Sequence, residues 1–296
     1  MERIRSIVVP TDFSPLSNAA AERAATLARL EGASIHLVHV VSLPLVATPY
    51  GATIPATVWE QVREAARKQL EAARKEVEGK GVATVTAAIP DTSDAVEAIR
   101  SAAETHEADL VVMGTHGHGG LTQAFLGSVA ARTIRTLDRP VLAVKEDVAK
   151  AAQPIGRILL AVDFSAHSDR AVSVAGALGK RLGASVDVVH ALDLPHDYTP
   201  YASEPGTELE QKIQAAVAEK LEGVRAQLGE HGVEVTLHFR RGRPSLAVAE
   251  VAAELHADLI VMGTRGATGL DHVLLGSVAE RTLRTAPCSV LVVKAG

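Results

Sequence analysis

Cysteine is almost absent: Cys288 is the one residue of its kind in 296. A single thiol excludes an intramolecular disulfide framework and any cysteine-rich zinc module, and predicts a reducing, cytoplasmic setting. Aromatic residues make up 3% of the chain, too few for the base-stacking platforms of RNA- or single-strand-binding proteins. A surplus of one charge is missing as well. The net charge of −5 divides into 15 basic and 18 acidic residues over 1–148, and 15 and 17 over 149–296. Neither half is a basic arm or an acidic tail, so no nucleic-acid or membrane partner is expected. No run of ~18 apolar residues is free of charge, which predicts no membrane span. The opening MERIRSIVVP is interrupted by Pro10, Thr11 and Asp12, which predicts no secretory signal. What the chain does have is an apolar content of 47%, enough for a sizeable core and against global disorder.

The chain is written twice. LGSVAARTIRT at 126–136 recurs as LGSVAERTLRT at 275–285, and DLVVMGTHG at 109–117 as DLIVMGTRG at 258–266. The starts match too, IVVPTDFS at 7–14 against LLAVDFS at 159–165. Asp12 and Asp163 are 151 residues apart and Gly127 and Gly276 are 149 apart, so a whole half is duplicated with small loop changes. That period is too long for a solenoid and is the size of a globular domain. The boundaries read as domains over 1–146 and 157–296, joined by a polar, Ala-rich linker at 147–156 that ends in Pro154 and Gly156.

Within the first copy, strands are expected at Ile4–Pro10, Ile35–Val41, Val82–Ile89, Leu110–Met113 and Val141–Val144. Several are nearly continuous in Val, Ile and Leu, the pattern of parallel strands covered on both faces. Helices are expected at Ser17–Leu30, along the stripe Val58, Val62, Ala65, Ala66, Leu70, Ala73, Val77, and at Asp94–His106 and Gly127–Leu137. The second copy repeats the order, with strands near 157–162, 185–191, 233–239, 258–262 and 289–293. Such alternation calls for right-handed crossovers and an open parallel α/β sheet in each half, that is, two Rossmann-like domains.

In such sheets ligands collect at the carboxyl ends of the strands, where strand order reverses. After the fourth strand comes Gly114-Thr-His-Gly117, then nine residues, then Gly127-Ser128 opening a helix. The second half gives Gly263-Thr-Arg-Gly266, nine residues, then Gly276-Ser277. Glycines let backbone approach an oxyanion closely, and the N–H groups of a helix start point at it. Ser128 and Ser277 add hydroxyl donors, which makes a phosphate cradle without a lysine. A lone GxxG would only mark a tight turn; two copies of the whole spacing, each between strand and helix, favour a site.

With these motifs in place the chain resembles a tandem universal stress protein of the ATP-binding branch, from first strand to last in both halves. The resemblance implies two domains of the HUP type, each with an open five-stranded parallel sheet in order 3-2-1-4-5 and helices on both faces. It implies ATP as the ligand, with Mg2+ carried by its phosphates, and a nucleotide-dependent regulatory role in the stress response. It also implies pairing of the two domains as an internal pseudo-dimer through Val141–Lys145 and Ser289–Lys294, with room for a further homodimer. Asp12 and Asp163, ending the first strands, correspond to the acidic residue that meets the nucleotide. Helix capping is the competing reading for both, although Ser14 and Ser165 are better placed as caps. Val40 and Ala191 match the position whose backbone contacts adenine, and Val129 and Val278 follow the GS pair beneath the phosphates.

The halves depart from the family pattern in different ways. Where many relatives carry Arg or Lys after the GxxG, this chain has His118 and Ala267, while His116 and Arg265 stand inside the two motifs. Arg265 is in place to compensate at the second site, and an exposed turn arginine is the plainer reading. Thr115-His-Gly-His118 imitates a nucleotidylyltransferase motif but follows the fourth strand instead of the first. No GxxxxGK[ST], no GxGxxG after the first strand and no GxSxG occurs, so P-loop, dehydrogenase and hydrolase readings fall. His39 and His190 read as core or rim histidines. The alternatives to a regulatory nucleotide binder are a slow ATPase or nucleotidyl-transfer enzyme using the same pocket, for which no positioned general base is visible, and an interaction module with a non-catalytic pocket.

Overall fold

A computed structural model of the chain describes residues 3–41, 56–117, 126–193, 208–264 and 275–294. The chain divides into two compact units, Arg3–Gln153 and Pro154 onward. The first runs β1 (Ser6–Pro10), α1 (Pro15–Glu31), β2 (Ser34–Val38), α2 (Ala56–Gly79), β3 (Val85–Ala88), α3 (Ala95–Thr105), β4 (Leu110–Gly114), α4 (Ser128–Thr136), β5 (Val141–Val144) and a short α5 (Val148–Ala151). Its strands are all parallel and lie in the order β3-β2-β1-β4-β5. The second runs β6 (Arg157–Ala161), α6 (Ala166–Leu182), β7 (Ser185–Leu192), α7 (Glu208–Gly229), β8 (Val235–Arg241), α8 (Pro244–Glu254), β9 (Leu259–Gly263), α9 (Ser277–Thr285) and β10 (Ser289–Val293). Its order, β8-β7-β6-β9-β10, is the same pattern, also parallel throughout. Each unit is a doubly wound, Rossmann-like sheet with helices on both faces.

Strands β1, β4 and β9, read as continuous apolar runs, are buried along nearly their whole length, whereas β3 and β8 at the outer end of each sheet leave residues exposed. Helix α1 packs with α2 and with α5, and α3 packs with α4. α1 starts where Ser14 accepts from the Ser17 N–H and Pro15 presets the first turn, and it stops at Gly32, whose φ of 68° lies in the left-handed region. Ser165 and Gly183 do the same for α6. The stripe of α2 is buried at Ala66, Leu70 and Val77, while Val58 near its start is 38% exposed. The reason is length: a 24-residue helix spans about 36 Å, and β3, the four-residue strand it packs on, reaches less than half as far.

Two features lie beyond the sequence reading. Residues 148–151 form helix α5, capped by Asp147, within the stretch expected to join the halves. In the second unit the outer ladder runs on to Leu192↔Arg241, whereas in the first it stops at Val38↔Ala88. Pro90 explains the difference, because it has no N–H with which to extend the ladder. No helix among the described residues is long and apolar enough to cross a membrane.

Candidate functional site

β1 and β4 are neighbours, and the loops that leave their carboxyl ends diverge, so a crevice opens between them. On the β1 side the ladder's last bond is Thr11 N–H to the Val38 carbonyl. The chain then turns through Phe13, a non-glycine residue at φ 63°. Two side chains hold the turn: Thr11 Oγ1 accepts from the Phe13 N–H at 3.0 Å, and Asp12 Oδ1 accepts from the Ser14 N–H at 3.0 Å. Thr11 Oγ1 also lies 3.1 Å from Ser17 Oγ. On the β4 side, Thr115 N–H bonds to the Val144 carbonyl and Gly127 N–H returns to the Thr115 carbonyl at 2.8 Å, which ties the start of α4 to the end of its strand.

The glycines of the motif do different work. A β-carbon on Gly114 would come within 3.0–3.2 Å of Leu16 at the start of α1, so this glycine serves close helix–strand packing. One on Gly117 would fall 2.0 Å from Asp12 Oδ2, so this glycine brings the two loops together in the crevice. Gly127 caps α4 without any side-chain bond, and its own β-carbon would meet the Thr115 carbonyl at 3.2 Å. Among the described residues the first-turn N–H groups of α4 therefore have no capping side chain.

These parts enclose a cavity of about 250 Å³. Of the residues singled out from the sequence, it brings together Asp12, Val40, Gly114, His116, Gly117, Gly127, Ser128 and Val129. Ser128 is exposed, and Val129 is 38% exposed at the cavity wall. His118 lies outside the described residues. Sequence reasoning missed Thr11 and Ser17, the hydroxyl pair at the base of the turn, and Ala95, Ile99 and Met113, which supply an apolar floor. The side chain of Thr11 was within reach, standing next to Asp12; the α3 residues carry no local signal. An apolar floor, a carboxylate and a helix start lacking a side-chain cap suit a ligand with a flat apolar part, hydroxyls and an anionic end.

The second unit repeats the frame. Gly276 N–H bonds to the Thr264 carbonyl at 2.8 Å, Gly276 caps α9 without a side-chain bond, and Phe164 turns at φ 62°. A β-carbon on Gly263 would lie 3.0 Å from the His167 carbonyl oxygen, as Gly114 does against Leu16. Ser277 is exposed and Val278 half-buried. The acidic loop differs: Asp163 Oδ1 accepts from both the backbone N–H and the hydroxyl of Ser165, at 3.1 and 2.6 Å. Ala191 also differs from Val40, since it lies inside β7, paired with Arg240. Arg265 and Gly266 lie outside the described residues.

Fold and site together define a tandem of doubly wound α/β units, each with a glycine-lined helix start at the reversal of strand order. The profile of the universal stress protein family matches residues 3–145 and again 154–294. The chain belongs to that family. A universal stress protein of Mycolicibacterium smegmatis is 32% identical over 293 residues, covering 97% of this chain and 96% of its own. One from Thermus aquaticus is 39% identical over 137 residues, 97% of its length but 46% of this chain, so it is one unit long. The crystal structure of a universal stress protein from Archaeoglobus fulgidus superposes with a TM-score of 0.73 at 25% identity, covering 98% of both chains.

Proposed function

We propose that this universal stress protein binds ATP, with Mg2+ carried by the phosphates, and acts as a nucleotide-dependent regulatory factor whose loaded and empty states differ in assembly or partner choice. One observation carries the reading: Asp12 and the start of α4, which has no capping side chain among the described residues, face the same cavity across Gly117, where a β-carbon would fall on the Asp12 carboxylate. The residues present fit the nucleotide. Asp12 would accept from ribose hydroxyls. The backbone at Val40 would meet the adenine edge. Gly117, the α4 N–H groups and Ser128 would hold the phosphates, on a turn that Gly114 lets pack closely against α1, with the helix dipole favouring their charge. Asp163, Ala191, Gly263, Gly276, Ser277 and Val278 would serve in the same order in the second unit.

Equilibrium dialysis with labelled ATP tests this. Wild-type protein is expected to saturate, and a Gly127→Val, Gly276→Val double variant to lose the signal. Asp12→Asn with Asp163→Asn serves as a partner variant in which no branched side chain crowds the backbone. Absence of saturable binding by wild type would overturn the reading. The mass and stoichiometry of nucleotide released by acid from purified protein would identify the ligand directly.

A further inference from the structure

The loop that carries Asp12 and the strand end that carries Val40 are joined by one side chain. Past the last β1–β2 ladder pair, Pro10↔Val38, the two backbones part. The Thr11 carbonyl there accepts from His39 Nδ1 at 2.8 Å. A carbonyl can only accept, so Nδ1 carries the proton. The Phe13 ring lies on the same imidazole, centroids 4.4 Å apart and planes 37° apart. The backbone N–H of His39 bonds to the Ala88 carbonyl, so the main chain that carries the ring is anchored from the β3 side as well.

The second unit holds the same arrangement. His190 Nδ1 donates to the Val162 carbonyl at 2.9 Å, and the Phe164 ring lies 4.5 Å from the imidazole, again at 37°. The bonded residues are 28 apart in both units. Around this bracket the neighbours change: Thr11 becomes Val162 and Val40 becomes Ala191. The histidine, the left-handed phenylalanine and the bond to the strand-end carbonyl stay. Core packing alone does not require that combination, because a left-handed phenylalanine is costly and persists where its surroundings hold it in place.

The geometry points to His39 and His190 as positioning residues for the nucleotide. Each binds the carbonyl one residue before the acidic group, Asp12 or Asp163, and itself precedes the residue expected at adenine, Val40 or Ala191. It therefore sets the separation between the ribose and the base contacts, while the phosphate cradle on the β4 and β9 side is built independently of it. This rests on the nucleotide reading above.

The test is affinity split by ligand part, in the intact chain. In a His39→Leu, His190→Leu variant, the Kd for ATP is expected to rise about tenfold, the size of one lost hydrogen bond, while that for inorganic tripolyphosphate stays within twofold of wild type. His39→Asn with His190→Asn, whose amide nitrogen stands as many bonds from the β-carbon as Nδ1 does, is expected to restore most of the ATP affinity. Equal losses for ATP and tripolyphosphate would mark general loosening and overturn the positioning role, as would unchanged ATP affinity in the leucine variant. Failure of wild type to bind ATP at all would instead overturn the nucleotide reading and this role with it.

Discussion

Gly117 lies against the Asp12 carboxylate: a β-carbon there would fall 2.0 Å from Oδ2. The crowded atom is the end of a rotatable side chain, so Gly117→Ala is expected to swing the carboxylate out of the crevice at little cost to the fold. ATP affinity should drop about tenfold, the scale of a lost charge-assisted bond, with the melting temperature near that of wild type. Gly114→Ala should do the opposite. Its β-carbon would press on the backbone of Leu16, so stability should fall by about 1–3 kcal/mol in urea denaturation.

Phe13 and Phe164, at φ 63° and 62°, invert the usual ranking of small residues. Phe13→Ala removes the ring from His39 and keeps the left-handed penalty, whereas Phe13→Gly removes the ring and relieves the backbone. The glycine variant should be the more stable of the two by about 1 kcal/mol, read from their urea midpoints. Equal midpoints would mean that the turn does not hold this conformation in solution.

Arg23 and Glu146 form a buried ion pair at 3.0 Å, with side chains 3% and 4% exposed. Arg23 also donates to the carbonyls of Lys150 and Gln153, so it holds α5 and the end of the first unit on α1. Arg23→Met leaves a buried carboxylate without its guanidinium and should cost about 3–5 kcal/mol in urea denaturation. Adding Glu146→Met should recover much of that loss. Val174, 151 residues on, is buried at the corresponding place in α6 and shows that an apolar residue is accommodated there in the second unit.

His36 should make the first unit sensitive to acid. It is buried in β2, with Nδ1 2.7 Å from Thr86 Oγ1, Nε2 3.1 Å from Ser34 Oγ and the His106 ring stacked on it at 3.7 Å. Burial, and secondarily the His106 charge, lower its pKa from 6.5 to about 4. Between those values the unfolded chain binds the proton and the folded chain does not. The contribution of His36 to stability is thus present above pH 6.5 and falls away progressively down to about pH 4. His36→Asn should lose less stability than wild type between pH 7 and pH 5, as followed by urea midpoints.

The candidate site was partly legible in one dimension. Gly114, Gly117, Gly127 and Ser128 stand at fixed spacing around one strand and one helix, and local spacing is what a sequence displays. Asp12 was legible as the residue ending β1, yet its contact with Gly117 spans two loops that only the sheet brings together. Ala95 and Ile99 reach the cavity because α3 packs over β1 and β2. In the sequence they are ordinary apolar helix residues.

The sequence by itself determined the duplication, the alternation of strand and helix and the place of each motif, because periodicity and repetition are properties of the chain read along its length. The tertiary structure decided which glycine serves packing and which the crevice, that Arg23 meets Glu146 across 123 residues, and that His39 bonds to the Thr11 carbonyl. Those outcomes depend on which backbone groups are left unpaired where strands part and on what comes close enough to satisfy them. Such proximity is settled only when the sheet has formed.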